Sequence, residues 1–284
     1  MSEAIELVGS EGNVLRGDLR GEGAAPPVLF LHGGGQTRHA WAATAGRIAR
    51  SRATITLDAR GHGGSDWPGS GDYRFTAMAA DLRAVVGEIA KRFGAAPVVV
   101  GASMGGLSAM LAAEDVPDAF AGLVLVDITP RMEQSGVDRI LGFMGERAAD
   151  GFASPTEAAD AIAAYLPERK RPRSLNGLTK NLVERGDGRW YWHWDPRFVS
   201  GPLSVESVAT GFEERLEAAL ARLRCPILLV RGSRSDLVSE DAVAAFRRAV
   251  PEAGYVDISG AGHMVVGDRN DAFGDAVETF LDRL

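Results

Sequence analysis

Gly101-Ala102-Ser103-Met104-Gly105 is the one G-x-S-x-G pentapeptide in the sequence, and its serine is the residue best placed to act as a nucleophile. A chain with 35 glycines offers that spacing by chance, so the pattern counts only through its setting. The apolar run PVVV (97–100) leads into it and GGLSAMLAAE (105–114) leaves it with helical character. Strand, tight turn and helix in that order lift a serine hydroxyl above a sheet. The start of the following helix also turns free N–H groups and partial positive charge toward the anion formed when a serine attacks a carbonyl carbon. A hydroxyl becomes a good nucleophile only when a base takes its proton. Five histidines are available, at 32, 39, 62, 193 and 263. His263 lies in Gly260-Ala261-Gly262-His263-Met264, directly after the apolar run YVDIS (255–259), where small residues let a loop return over a sheet edge. His193 lies inside the aromatic WYWHWD (190–195) and reads as packing. A base of this kind is oriented by a carboxylate. Asp236, after ILLVRGSRS (227–235), and Asp127, at the end of LVLVD (123–127), both stand at strand ends.

These groups need a frame, and the hydrophobic pattern supplies one. Short runs rich in β-branched residues (VLFLH at 28–32, TITLD at 54–58, PVVVG at 97–101, LVLVD at 123–127, CPILLV at 225–230, YVDIS at 255–259) alternate with segments such as FTAMAADLRAVVGEIAKRF and SEDAVAAFRRAV. The latter repeat apolar residues three and four apart, as helices covering a sheet do. The pattern predicts β-α-β units and a mainly parallel sheet. Upstream, IELVGSEGNVLRGDLRG alternates around a Gly-Asn turn and predicts an antiparallel hairpin at one edge. The longest gap between buried runs falls between Asp127 and Cys225, where PTEAADAIAAYL and its neighbours look helical. The expected organisation is a core in 1–130 and 213–284, with a helical cap, 131–212, inserted after the sixth strand.

VVVGASMGG, together with FLHGGG, LDARGHGGSD and the late GAGHM, resembles the α/β-hydrolase superfamily, with all four motifs in the family's order. The resemblance covers essentially the whole chain outside the cap and implies a mostly parallel sheet of about eight strands flanked by helices. It implies Ser103 as nucleophile and His263 as base, since the base follows the nucleophile in this family. It places the acid after the strand ending near Gly232, hence Asp236, although the spacing there is one residue longer than usual; Asp127 is the position that a minority of relatives use. Met104 and Gly34, with Gly35 as alternative, are the expected backbone N–H donors of an oxyanion hole. Asp58 and Arg60 are expected to be structural, and His62 is given no part in the chemistry.

The aromatic stretch at Trp190, Trp192 and Trp194, with Phe143, is the candidate substrate-binding surface, alongside a role in cap packing; Phe198, Met144 and Phe152 raise the same possibility. The expected reaction is hydrolysis of a small, hydrophobic carboxylic ester or lactone through an acyl-serine. Carbon–carbon bond hydrolysis and cofactor-free perhydrolysis would use the same groups; relatives of the second kind often carry a bulky aromatic where Gly34 stands. A ligand-binding protein that had lost its chemistry would be expected to lack the serine, the histidine or the acid, and none is missing. No G-x-G-x-x-G supports a dinucleotide, and no H-x-x-x-H spacing supports a metal, so neither cofactor nor metal is expected.

Composition narrows the classes further. A net charge of −7 argues against broad binding of nucleic acid, and the basic stretch Arg169, Lys170, Arg171, Arg173, broken by Pro172, reads as a solvated loop. No apolar tract approaches the roughly 20 residues of a membrane span. The acidic start MSEAIELVGSEG lacks the basic, then apolar pattern of a secretory leader, so a cytoplasmic protein acting on a small molecule is expected, with its oligomeric state open. Cys225, the single cysteine, excludes an internal disulfide and reads as a structural thiol.

Overall fold

A computed structural model describes residues 2–23, 26–167, 175, 177–205 and 211–284; the basic stretch from Arg169 to Arg173 lies outside the described residues. Ten strands form among them: β1 (Ser2–Val8), β2 (Val14–Arg20), β3 (Val28–Leu31), β4 (Thr54–Leu57), β5 (Val98–Ala102), β6 (Gly122–Val126), β7 (Leu182–Glu184), β8 (Trp190–Trp192), β9 (Ile227–Gly232) and β10 (Gly254–Ile258). Eight of them make one sheet in the order β1-β2-β4-β3-β5-β6-β9-β10. From β4 to β10 the pairs are parallel, while β1 and β2 form the antiparallel hairpin at one edge.

The inner strands have no solvent face, which is why they read as unbroken apolar runs. Alternate residues serve opposite cores. Leu29, Ile55, Val99, Leu123, Leu125 and Leu229 point to one face, against helices α2 (Phe75–Phe93), α3 (Met104–Ala112), α6 (Phe212–Arg222) and α7 (Glu240–Ala249). Val28, Phe30, Val98, Val100, Val124 and Val230 point to the other, against α1 (Ala42–Ile48) and α9 (Asn270–Leu281), which follows the short α8 (Val265–Asp268). Half-buried Cys225 packs at the edge of the first core, and burial pushes its thiol up to about 11, so it is protonated at neutral pH.

Between β6 and α6 the chain departs from the sheet to form α4 (Gln134–Gly145), α5 (Pro155–Tyr165) and the β7–β8 pair. The stretch expected to be helical is therefore mixed. Asp187 and Gly188 sit in the turn of a short antiparallel pair, with Gly188 at φ 73°, and the aromatic residues of β8 suit a half-buried strand better than a helix. The insertion has its own apolar cluster, in which Met144, Phe152, Trp192, Trp194 and Phe198 meet Tyr73, Met78 and Met104 of the core. Leu216 and Leu220 of α6 return to the sheet-side core.

Strand order decides where chemistry can occur. β3 has β4 on one side and β5 on the other, so successive crossovers leave in opposite directions and a crevice opens beyond their carboxyl ends. The loops after β3, β5, β6 and β10 all end at that edge.

Candidate active site

Ser103 sits where β5 hands over to α3, at φ 45° and ψ −113°. Only Ser103, Asp127 and Arg147 among the described non-glycine residues have positive φ. An L side chain in that region costs on the order of 1–3 kcal/mol, and such strain gathers where function needs a fixed geometry. The turn is tight enough that a Cβ on Gly105 would stand 2.6 Å from the Leu31 carbonyl oxygen of β3, so glycine is required for α3 to pack against β3.

Asp127, directly after β6, is fully buried and holds the His263 ring: His263 Nδ1 donates to Asp127 Oδ2 at 2.7 Å. The Ser235 hydroxyl donates to the same oxygen at 2.6 Å and the Gly232 N–H to Oδ1 at 2.9 Å. With Nδ1 committed, Nε2 is the ring nitrogen left for proton transfer. His263 reaches Asp127 because its loop crosses over the end of β9: a Cβ on Gly232 would lie 2.3 Å from the Gly262 carbonyl oxygen.

The structure does not bring the expected carboxylate to the histidine. Asp236 does not meet His263; its exposed carboxylate pairs with Arg139 Nη2 of α4 at 2.6 Å. The turn after β9 contributes Ser235 to the site, and one residue further on the side chain faces outward. Asp127 stands in the place expected of Asp236.

The loop after β3 comes up beside Ser103, so close that a Cβ on Gly33 would lie 3.5 Å from Ser103 Cβ. Among the described residues, neither the Gly34 N–H nor the Met104 N–H has a protein acceptor. The Gly35 N–H is already given to His62 Nε2 at 3.2 Å, which removes Gly35 as the alternative donor. Asp58 and Arg60 are committed elsewhere. Asp58 accepts from the Arg38 and Gly64 N–H groups and pairs with the Arg38 guanidinium, and buried Arg60 is paired with Asp81.

The model of the alpha/beta hydrolase family matches residues 28–276. The chain belongs to this family. It is 32% identical over 274 residues to an esterase of Mycobacterium tuberculosis, covering 93% of this chain and 85% of the relative. It is equally 32% identical to an sn-1-specific diacylglycerol lipase of Mus musculus, over 93% and 83% of the two chains. The crystal structure of E-2-(acetamidomethylene)succinate hydrolase matches with a TM-score of 0.85 and 24% identity over 99% of this chain and 100% of that one, a likeness of fold.

Two cavities of this hydrolase meet at Ser103 and Gly34. The smaller, about 210 Å³, also carries His263 and is walled by Phe143, Tyr165, Trp192 and Trp194. The larger, about 1030 Å³, runs the other way past Met104, Leu107 and Phe75. Met144 and Ile140 of α4 belong to both. Of the aromatic residues proposed from sequence, Phe143, Trp192 and Trp194 face the smaller cavity, Trp192 and Trp194 stacked at 4.8 Å. Trp190 lines neither and instead pairs with Phe152 and Glu184.

His193, expected to serve as packing, and His62, expected to take no part, come together with His32. His32, His62 and His193 form a row, with ring centroids 5.2 Å apart between His32 and His62 and 5.8 Å apart between His62 and His193. Burial holds all three below the ordinary range, His193 pushed down to about 4. Each is neutral in the folded protein at neutral pH and titrates near 6.5 when unfolded, so the stability they contribute is complete above about pH 6.5 and is lost as pH falls through their lowered values, for His193 about 4. For His193 alone that loss totals about 3 kcal/mol. Urea midpoints measured at pH 7.5, 6 and 5 should fall steadily; a flat profile would mean that these rings accept protons without cost.

Proposed function

We propose that this chain hydrolyses a neutral carboxylic ester through an acyl-Ser103 intermediate. The observation that carries this reading is the Asp127–His263 hydrogen bond, 2.7 Å long, at the edge of a cavity lined by both His263 and Ser103. His263 Nε2 takes the Ser103 proton as Oγ attacks the carbonyl carbon, and the buried carboxylate of Asp127 stabilises the imidazolium. The Met104 and Gly34 N–H groups receive the oxyanion. When the tetrahedral centre collapses, His263 returns the proton to the departing alkoxide; a water, activated by the same ring, then cleaves the acyl-enzyme.

The two cavities divide the substrate. The leaving oxygen must reach His263, so the alcohol belongs in the aromatic cavity of about 210 Å³. The acyl chain takes the larger cavity of about 1030 Å³. Asp138, Glu213 and Glu214 stand along the larger one, and no Arg or Lys lines either among the described residues. That charge balance disfavours an anionic acyl group, such as a succinate half-ester. The esterase and diacylglycerol lipase relatives support ester cleavage.

A plate of nitrophenyl acetate, octanoate and monosuccinate esters, with and without peroxide, tests the reading, together with mass mapping of a fluorophosphonate adduct. The expected result is one adduct per chain, on Ser103, with octanoate preferred over acetate and the succinate poorest. An adduct elsewhere, or no hydrolysis above buffer, would overturn it; activity that appears only with peroxide would point to perhydrolysis.

A further inference from the structure

Three consecutive peptide groups in the loop after β3 are each held by a different histidine, and one of those histidines comes from the insertion. His32 Nδ1 donates to the Gly33 carbonyl at 2.8 Å, and the Gln36 N–H bonds the same oxygen at 3.1 Å. That carbonyl shares its peptide with the Gly34 N–H. The chain has no cis peptide among the described residues, and in a trans peptide the two groups point opposite ways, so fixing the carbonyl aims the Gly34 N–H. The next peptide is held through the Gly35 N–H, which donates to His62 Nε2. The one after it is held through the Gly35 carbonyl, which accepts from His193 Nε2 at 3.3 Å.

The far side of each ring is tied as well. The Ala59 N–H donates to His32 Nε2 at 3.0 Å, His62 Nδ1 donates to the Arg60 carbonyl at 3.0 Å, and the Gly63 N–H donates to His193 Nδ1 at 2.7 Å. An amide N–H only donates and a carbonyl only accepts. Each ring therefore has one nitrogen bearing a proton and one bare, and all three tautomers are fixed. A run of three glycines has no side chains with which to hold its own shape, whereas an oxyanion donor is effective only when it is aimed in advance.

The insertion is docked on this brace. The Asp195 N–H donates to the Gly61 carbonyl at 2.9 Å, and the Tyr73 hydroxyl donates to the Asp195 carboxylate at 2.7 Å. His193 thus bridges the loop after β4, through Gly63, to the loop after β3, through Gly35.

We infer that His193 is a positioning residue that makes the Gly34 oxyanion donor depend on the docking of the insertion. This rests on the ester-hydrolase reading above. The ring's two bonds can be separated, because asparagine places an oxygen near the Nδ1 position while glutamine places an amide nitrogen near the Nε2 position. His193→Asn keeps the acceptor for Gly63 and loses the bond to Gly35; His193→Gln keeps the donor to Gly35.

The expected result is a kcat about 30-fold lower in H193N with KM within about threefold, and a kcat near wild type in H193Q. The affinity of H193N for a trifluoromethyl ketone, whose Ser103 adduct puts an oxyanion beside Gly34, should fall by the same factor as kcat/KM. Equal kcat in the two variants, or an unchanged ketone affinity in H193N, would overturn the inference. Should H193N fail to fold, ring-nitrogen NMR of the wild type reads the same bond. A proton on Nε2 and none on Nδ1, with the Nε2 signal shifting on ketone binding, supports the brace, and an Nε2 signal indifferent to the adduct refutes it. A wild type that neither cleaves esters nor forms the adduct would sink the ester reading instead.

Discussion

Replacing Ser103 with alanine should lower kcat for ester hydrolysis on the order of 10⁵- to 10⁶-fold and abolish fluorophosphonate labelling, while the far-UV spectrum stays that of wild type. The hydroxyl is the bond-forming atom in the proposed reaction, and the remaining groups retain only the catalysis that comes from binding and oxyanion stabilisation. A companion substitution separates chemistry from strain. Ser103 is held at φ 45°, where glycine loses nothing to Cβ clashes, so Ser103→Gly should be just as inactive yet more stable. Relief of about 1–3 kcal/mol of backbone strain, set against a roughly 0.5–1 kcal/mol cost for a more flexible unfolded chain, leaves about 1 kcal/mol. In a domain of this size that raises the unfolding midpoint by about 2 °C. Retained labelling in Ser103→Ala would move the nucleophile elsewhere. A lower midpoint in Ser103→Gly than in Ser103→Ala would mean that the elbow stores no strain.

The sheet, the elbow and the histidine loop were legible in the sequence because each depends on local pattern. Apolar runs buried on both faces have no polar alternation to blur them, and the glycines flanking Ser103 mark places where backbones nearly touch, a Cβ on Gly101 or Gly105 falling 2.7 or 2.6 Å from backbone atoms. The acid was not legible in the same way. Asp127 and Asp236 both follow apolar strands, and choosing between them needs the exact turn after β9, in which a shift of one residue faces Ser235 inward and Asp236 toward Arg139. The extra residue between Gly232 and Asp236 was the available sign. The β7–β8 pair was hidden by its three-residue strands, although Asp187-Gly188 is an ordinary hairpin-turn pair. The histidine brace left no trace in sequence, since His32, His62 and His193 are far apart along the chain and meet only where the insertion folds back. What reads locally as aromatic packing around His193 becomes, in three dimensions, a set of directed hydrogen bonds to glycine backbone.

Asp127→Asn should then cost about 10⁴-fold in kcat, and Asp236→Asn less than about threefold. Asparagine at 127 keeps an oxygen for the Gly232 N–H or the Ser235 hydroxyl, so the fold survives. Its amide nitrogen, however, brings a donor against His263 Nδ1, where the carboxylate accepted one. The ring is then driven to the tautomer that carries its proton on Nε2, and that nitrogen can no longer take the proton of Ser103. A loss of about 10⁴-fold is what the same exchange costs in serine proteases. The charge that would stabilise the imidazolium in the transition state disappears at the same time. Asp236 pairs with Arg139 at the surface, with 39% and 44% of their side chains exposed; exposed pairs of this kind contribute between zero and about 1 kcal/mol, and Asp236 lines neither cavity at Ser103. The comparison is best made on kcat/KM against pH, because a loss of tautomer control lowers the whole profile. If Asp236→Asn were the damaging change and Asp127→Asn the mild one, His263 would have to take its orientation from the turn after β9, and its hydrogen bond to Asp127 would not be the working one.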